Sequence, residues 1–166
     1  MKKTKRSPIF RRAAMAAAAL ALVAAAGCES VNTTQGGTIG IDRTQRMSSL
    51  VSEQQLDQQA VQLYQQTLSG ARGKGQLNTN ASQLARVRTI SQRLIGQVGV
   101  FRPDATKWKW EVNVIDDKEV NAWCMPGGKI AVYTGLINTV KPTDDELAAV
   151  LGHEIAHALR EHARER

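Results

Sequence analysis

The 166-residue sequence has two cysteines, few aromatic residues and, after its first 27 residues, almost no excess of either charge. Lys and Arg number 22, but six of them precede Cys28, where there is no Asp or Glu. From Cys28 onward, 16 basic residues face 15 acidic residues, a net charge of +1. Because a nucleic-acid-binding protein is expected to carry a basic cluster, the sequence argues against nucleic acid as a partner.

Long hydrophobic runs are also lacking. The apolar segment Ala13–Ala26 is too short to span a membrane, which takes about 20 apolar residues. It follows a basic segment and precedes Gly27-Cys28, an order typical of a signal peptide. Small residues directly before a cysteine resemble the bacterial lipobox, whose cysteine is lipidated and becomes the mature N-terminus. Ordinary secretion, with cleavage near Ala26, is the alternative.

This leader predicts the location and the domain organisation of the protein. A lipidated Cys28 would anchor it in the bacterial cell envelope, and Glu29 favours the outer membrane with the protein on its periplasmic face. Cys124 would then have no partner for an intrachain disulfide. We predict a lipoprotein signal peptide over residues 1–27, a flexible tether rich in Asn, Thr, Gln and Gly over 28–47, and one domain over 48–166.

Two helices are predicted in the first half of that domain. Ser48–Leu68 places Leu56, Ala60, Leu63 and Thr67 at helical spacing. After a glycine-rich loop, Asn80 is a candidate N-cap, and Gln83 stands in the capping-box position of a helix that extends to about Gln97.

Three strands follow. Residues 108–116, 120–125 and 129–134 are rich in Val, Ile, Trp and Tyr, and Pro126-Gly127-Gly128 predicts a turn before the last of them. We assign Trp108 and Trp110 to the core of the sheet. Helices followed by a short run of strands predict an α+β fold with a small mixed sheet.

The last predicted helix begins at a capping box, with Thr143 as the cap and Glu146 three residues later. No Gly, Asn or Pro follows to end it, so we expect the helix to continue to Arg166. A helix with no stop signal suggests that the chain is the N-terminal portion of a longer protein.

The chemistry of the sequence lies in this helix, at His153-Glu154-Ile155-Ala156-His157. Histidines four residues apart on a helix can hold one zinc ion, and the glutamate beside the first can act as general base. The alternative is a pair of exposed or core histidines. The core version is disfavoured because the two imidazoles point roughly 150° away from the centre of the apolar arc, which is formed by Leu147, Leu151, Ile155, Ala158 and His162.

A catalytic zinc ion needs three protein ligands and a water molecule. Glu161 lies two turns beyond His153, so these residues would be about 12 Å apart along the helix and could not share one metal ion with His157. His162 falls on the apolar face of the continued helix, and we interpret it as buried or as a support for a ligand. The third ligand is therefore expected outside this sequence.

Two motifs in the expected order resemble metallopeptidase family forty-eight, whose members are HExxH zinc peptidases of the gluzincin type. The residues are His-Glu-Ile-Ala-His-Ala-Leu-Arg-Glu-His at 153–162, preceded by Asn-Ala-Trp-Cys-Met-Pro-Gly-Gly-Lys-Ile at 121–130 and Tyr-Thr-Gly-Leu at 133–136. The resemblance covers Gln83–Arg166, and the periplasmic lipoprotein branch of the family fits best.

This resemblance implies a zincin-like domain with one zinc ion. His153 and His157 would be ligands, and Glu154 would activate a water molecule. The third ligand would be a glutamate beyond residue 166. Asn121, Ala122 and Trp123 would form the sheet edge along which a substrate backbone pairs, and Cys124 would serve packing.

The implied function is a zinc-dependent metalloendopeptidase that cleaves misfolded or other envelope proteins on the periplasmic side of the bacterial membrane. Two alternatives remain open. One is a non-enzymatic, chaperone-like lipoprotein that binds unfolded clients along the exposed sheet edge. The other is an inactive truncated fragment without the third zinc ligand.

Overall fold

The computed structural model describes residues 29–34, 44–47 and 52–165. The predicted signal peptide and the lipidation site Cys28 lie outside these ranges. In chain order the elements are β1 Glu29–Val31, β2 Gln45–Met47, α1 Glu53–Gly73, α2 Ala81–Ile95, α3 Val98–Phe101, a 3₁₀ helix Pro103–Lys107, β3 Glu111–Ile115, β4 Ala122–Met125, β5 Lys129–Tyr133, a π-helical turn Leu136–Val140 and α4 Asp144–Leu159.

The central sheet has three strands in the order β3-β5-β4. β3 is parallel to β5, with Val112 opposite Ile130, and β4 is antiparallel to β5, with Ala122 opposite Val132. The sheet is therefore mixed, and together with the four helices it confirms the predicted α+β class.

Helices cover both faces of this sheet, and the alternation of side chains along each strand separates two apolar clusters. On one face, Val114, Ile130 and Val132 pack with buried residues of α2 and α4. On the other face, Ala131 and Ile115 pack with α1. Helix α4, which carries the histidine pair, thus packs on the sheet, and β4 is the strand with which it makes its main contact.

Helix α1 is confirmed, but its buried face is shifted from the predicted one. Its buried residues include Ala60, Tyr64 and Leu68, whereas Leu63 is 53% exposed. Tyr64 replaces Leu63 in the core because its hydroxyl finds partners there: it donates to the carbonyl of Ile130 at 3.2 Å and accepts from the side chain of Asn113 at 2.8 Å.

The N-cap of α2 is also confirmed, since the Asn80 side chain accepts from the backbone N–H of Gln83 at 3.0 Å. The predicted capping box does not form, because the Gln83 amide donates to Asn138 instead. Trp108 and Trp110 precede β3 rather than lie within it. They pack against the edge of the core with their rings 5.4 Å apart.

Helix α4 ends at Leu159, so the prediction that it continues to Arg166 is wrong. Glu161 takes a left-handed conformation (φ 51°) and donates its N–H to the carbonyl of Ala158, while the N–H of His162 reaches the carbonyl of His157. This pair of bonds is a Schellman motif, a helix ending that usually carries glycine.

Buried ion pairs explain why a glutamate occupies that position. Arg102 is 6% exposed and lies 2.9 Å from the Glu161 carboxylate, and Arg164 pairs with the same carboxylate. Arg102 also donates to the carbonyl of Leu159 at 3.1 Å, one of the carbonyls that the end of the helix leaves without an intrahelical partner.

Two short strands lie within the segment predicted as a tether. β1 and β2 pair antiparallel, and Met47 forms a bridge with Glu165 just beyond α4. Gln45 and Met47 are each 1% exposed. Among the residues that the structure describes, none of the helices has the length and apolar character needed to cross a membrane.

Candidate metal centre and active site

The start of α4 positions the site. Thr143 accepts from the N–H of Glu146, and the Glu146 carboxylate accepts in return from the N–H of Thr143 at 2.7 Å, which is the predicted capping box. The backbone N–H and the hydroxyl of Thr143 hold the pKa of Glu146 below its ordinary value. Asp144, Asp145 and Glu146 in the first turn also stabilise the start of the helix, since they face the positive end of the helix dipole.

One turn of helix brings the two predicted metal ligands together. The Nε2 atoms of His153 and His157 are 2.9 Å apart, and the two rings meet edge to face with their centroids at 4.5 Å. Two nitrogens bound to one tetrahedral zinc ion at about 2.0–2.1 Å would stand about 3.3 Å apart. A small opening of the pair therefore fits one ion, and an imidazole donor set suits zinc.

The predicted general base, Glu154, is half-buried on α4, the helix that packs against β4. Burial raises the pKa of the Cys124 thiol of β4, and the negative charge of Glu154 raises it further. The raised pKa keeps Cys124 a neutral thiol, in agreement with a packing role.

The three residues predicted to bind substrate lie at the start of β4. β4 is an edge of the three-stranded sheet, with β5 as its neighbour in the described part of the chain. Asn121 precedes the strand, and its carbonyl accepts from the N–H of Tyr133. Ala122 is buried toward α4, whereas Trp123 points to the opposite face and meets Tyr64 edge to face at 5.8 Å.

The turn after β4 depends on two glycines with positive φ, Gly127 at 72° and Gly128 at 78°. A Cβ atom on Gly128 would lie 2.6 Å from the Trp110 ring, so this position also needs the absence of a side chain. The turn returns the chain directly into β5, and β4 remains at the edge.

The described residues do not contain a complete metal site. Within 29–34, 44–47 and 52–165, no group of three or more His, Cys, Asp or Glu side chains is arranged to hold one ion. Glu161 is turned toward Arg102 and Arg164. His162 does not continue the helix but folds back, and its Nδ1 contacts the Nδ1 of His157.

Sequence reasoning missed the groups that hold this region together. Arg102, which lies outside any motif, joins Glu53 of α1 to the end of α4. No sequence pattern marks it, because arginine is usually a surface residue. The contact of His162 with His157 had one sequence signal, the clustering of all three histidines within ten residues.

Comparison with known proteins shows the family of the chain. Residues 81–166, slightly more than half of the chain, match peptidase family M48. The mitochondrial metalloendopeptidase OMA1 of Arabidopsis thaliana is 52% identical over 56 residues, which cover 34% of this chain and 11% of that protein. OMA1 of Bos taurus is 45% identical over 65 residues, covering 39% and 12%.

A bacterial relative is also similar. The metalloprotease LoiP of Escherichia coli is 45% identical over 47 residues, which cover 28% of this chain and 18% of LoiP. The chain matches less than a quarter of the length of each of these relatives. The family match covers the helix with the histidine pair, the edge strand and the turn between the strands, and the chain belongs to peptidase family M48, the metallopeptidase family that its motifs predicted.

Proposed function

We propose that this protein is a zinc-dependent metalloendopeptidase that hydrolyses peptide bonds of misfolded envelope proteins on the periplasmic side of a bacterial membrane. The observation that carries the proposal is the 2.9 Å separation of the His153 and His157 Nε2 atoms, on a helix that packs against the edge strand β4. A metal ion, a proton acceptor and a place for an extended peptide would then adjoin one another.

His153 and His157 would hold the zinc ion. We propose that a glutamate beyond residue 166 supplies the third ligand. The bound ion would polarise the scissile carbonyl and make a water molecule a better nucleophile. Glu154 would accept a proton from the attacking water and deliver it to the nitrogen of the leaving amine. The breakdown of the tetrahedral adduct would then yield a free carboxylate and a free amine.

The edge strand would hold the substrate. An extended peptide would pair with the outer edge of β4, beside α4, through main-chain hydrogen bonds. Main-chain pairing recognises an unfolded segment whatever its side chains are, so this mode suits misfolded proteins.

The location rests on the leader. A basic segment, an apolar run and Gly27-Cys28 precede the catalytic region, and we propose that Cys28 carries lipid and anchors the protein in the outer membrane, facing the periplasm. The OMA1 relatives are named as mitochondrial proteins, whereas LoiP is from Escherichia coli. Incorporation of labelled fatty acid that is lost in Cys28→Ser would support the anchor, and unlabelled wild type would contradict it.

Hydrolysis of an unfolded protein tests the chemistry. The protein, expressed with the segment beyond residue 166 that we propose to carry the third ligand, is supplied with zinc and incubated with casein, and new N-termini are counted. We expect cleavage that is lost on chelation, restored by zinc and abolished in Glu154→Gln. Asp145→Asn is the matched control, because it removes a carboxylate from an exposed position on the same helix.

Cleavage that survives Glu154→Gln would overturn the mechanism. Casein that is bound equally with and without chelator, and is not cleaved, would instead favour a chaperone-like protein. A protein that binds zinc but neither cleaves nor binds casein would contradict both functions.

A further inference from the structure

A cleft of about 630 Å³ lies along the outer edge of β3, between α1 and α2. Its volume is within the range of about 300–1,000 Å³ that is usual for ligand sites. In the described part of the chain, β3 is the edge of the sheet opposite β4, and the residues that line the cleft include none from β4 or α4. The cleft is therefore separate from the histidine pair and from the edge strand beside it.

The C-terminal half of this edge already pairs with an extended segment of the chain. Leu77 forms an antiparallel bridge with Ile115, and the N–H of Asn78 donates to the carbonyl of Val114 at 2.8 Å. The side chain of Asn78 accepts in return from the N–H of Val114 at 2.9 Å. Asn78 has a positive φ of 54°, and the chain leaves the edge to begin α2 at Ala81. The edge of β3 thus accepts antiparallel backbone, and this pairing ends at Val114.

Val112 is the next residue whose backbone groups lie on this edge. The groups of successive strand residues alternate between the two sides, and those of Glu111 are directed to the inner side, where its N–H donates to the carbonyl of Gly128 at 3.0 Å. The carbonyl of Val112 points outward and accepts from Nε of Arg88 at 3.2 Å. The N–H of Val112 lies on the same side and faces the cleft. An extended peptide can pair with such an edge through main-chain hydrogen bonds.

The cleft carries positive charge. Arg72, from the last turn of α1, and Arg88, from α2, both line it and are exposed. Glu111 also lines it, but its charge is balanced by Nζ of Lys129 at 3.0 Å. Among the residues that the structure describes, neither arginine forms an ion pair with Asp or Glu. A guanidinium binds a carboxylate through two parallel hydrogen bonds, so the cleft is complementary in charge to an acidic segment.

We propose that this cleft binds an extended acidic peptide segment of another protein, which continues along β3 the antiparallel pairing that ends at Val114. Successive side chains of a strand point to opposite faces of the sheet, so two adjacent carboxylates would reach Arg72 on the α1 side and Arg88 on the α2 side. Arg88 has five N–H donors and can hold the Val112 carbonyl and a carboxylate together. This second binding site does not depend on the proposed zinc site, since the two lie at opposite edges of the sheet.

Binding of short peptides to the full chain tests the charge of the partner. Fluorescence anisotropy is measured with a labelled six-residue threonine peptide that has two adjacent glutamates at its centre, in the presence of a chelator. We expect this peptide to bind and its counterpart with two lysines not to bind. Arg72→Gln and Arg88→Gln should each weaken binding by about fivefold, as expected for the loss of an exposed ion pair. Arg93→Gln is the matched control, because Arg93 is exposed on α2 and lies outside the cleft.

A backbone variant tests the pairing with the edge. Val112→Pro removes the N–H that faces the cleft and leaves the pairing of Glu111 and Asn113 with β5 in place. We expect it to weaken binding of the acidic peptide by about threefold to tenfold. Val112→Ala keeps the N–H and should bind as the wild type does. Thermal unfolding identifies any variant that fails to fold, and the two arginine variants, at exposed positions, then decide the question.

The outcomes separate this proposal from the proposed function. Equal binding of the acidic and the lysine peptides, or binding unchanged in both arginine variants, would overturn the site. A six-nucleotide single-stranded DNA that binds as tightly as the acidic peptide would also overturn it, because it would show recognition of charge without strand pairing. No peptide binding by an active peptidase would contradict this site alone, and specific peptide binding by a protein without zinc or proteolysis would support it while contradicting the metallopeptidase.

Discussion

Replacing Arg102 by leucine should destabilise the whole domain, because this buried cation joins three parts of the chain. Its guanidinium lies 2.9 Å from Glu161, 3.0 Å from Asp104 and 2.5 Å from Glu53. The side chains of Glu53 and Asp104 are 42% and 58% exposed, so each of these pairs contributes at most about 1 kcal/mol. Glu161 is 7% exposed and would be left buried with half of its positive partners gone.

Removal of one partner from a buried ion pair costs about 3–5 kcal/mol. We expect the lower end, about 3 kcal/mol, because Arg164 remains beside Glu161. At about 3 °C per kcal/mol, the midpoint of thermal unfolding should fall by about 10 °C.

Urea unfolding followed by tryptophan fluorescence measures the change, and Trp108 is a suitable reporter since Arg102 lies 5.0 Å from its ring centroid. Arg93→Leu, at an exposed position of α2, is the matched control and should shift stability by less than about 0.5 kcal/mol. A loss below about 1 kcal/mol in Arg102→Leu would refute the assignment of this network as the support for the end of α4.

Three further perturbations have defined outcomes. Gly127→Ala should lower the free energy of unfolding by about 1–2 kcal/mol, because the residue has a positive φ. Gly128→Ala should lower it by about 1–3 kcal/mol more, because the added Cβ meets the Trp110 ring. Equal losses for the two variants in urea unfolding would contradict this packing. Because the pKa of Glu146 is lowered in the folded protein, its charge adds stability near neutral pH that is lost as the pH falls through that pKa. The loss of stability in Glu146→Gln, measured against the wild type, should therefore vanish in acid. A loss that does not change with pH would argue against the capping box. Cys124 should react with iodoacetamide far more slowly than a free thiol, because burial raises its pKa, and rapid labelling would show an accessible thiolate.

The sequence predicted the local elements of this fold well. Cap residues such as Asn80 and Thr143 act within a few positions of themselves, so their effect can be read without tertiary structure. The two glycines before β5 are equally local, since positive φ is a property of the residue itself.

Features that depend on distant contacts could not be predicted. The choice of Tyr64 over Leu63 for the core follows from a carbonyl 66 residues away in sequence. The end of α4 was missed because its left-handed residue is Glu161, which is held by Arg102 rather than by intrinsic preference. The histidine pair was predictable because helical geometry alone brings positions 153 and 157 together. A third metal ligand from another part of the chain cannot be predicted from the sequence of this helix.

The central claim is that His153 and His157 bind one zinc ion together. Chelator competition tests it most directly, on protein that includes the segment beyond residue 166 proposed to carry the third ligand. The account predicts one zinc ion per chain, with affinity at least about tenfold weaker in His153→Ala and in His157→Ala, and with the double variant little worse than either because each imidazole depends on the other. Zinc affinity unchanged in His153→Ala, or no affinity in the wild type, would contradict it.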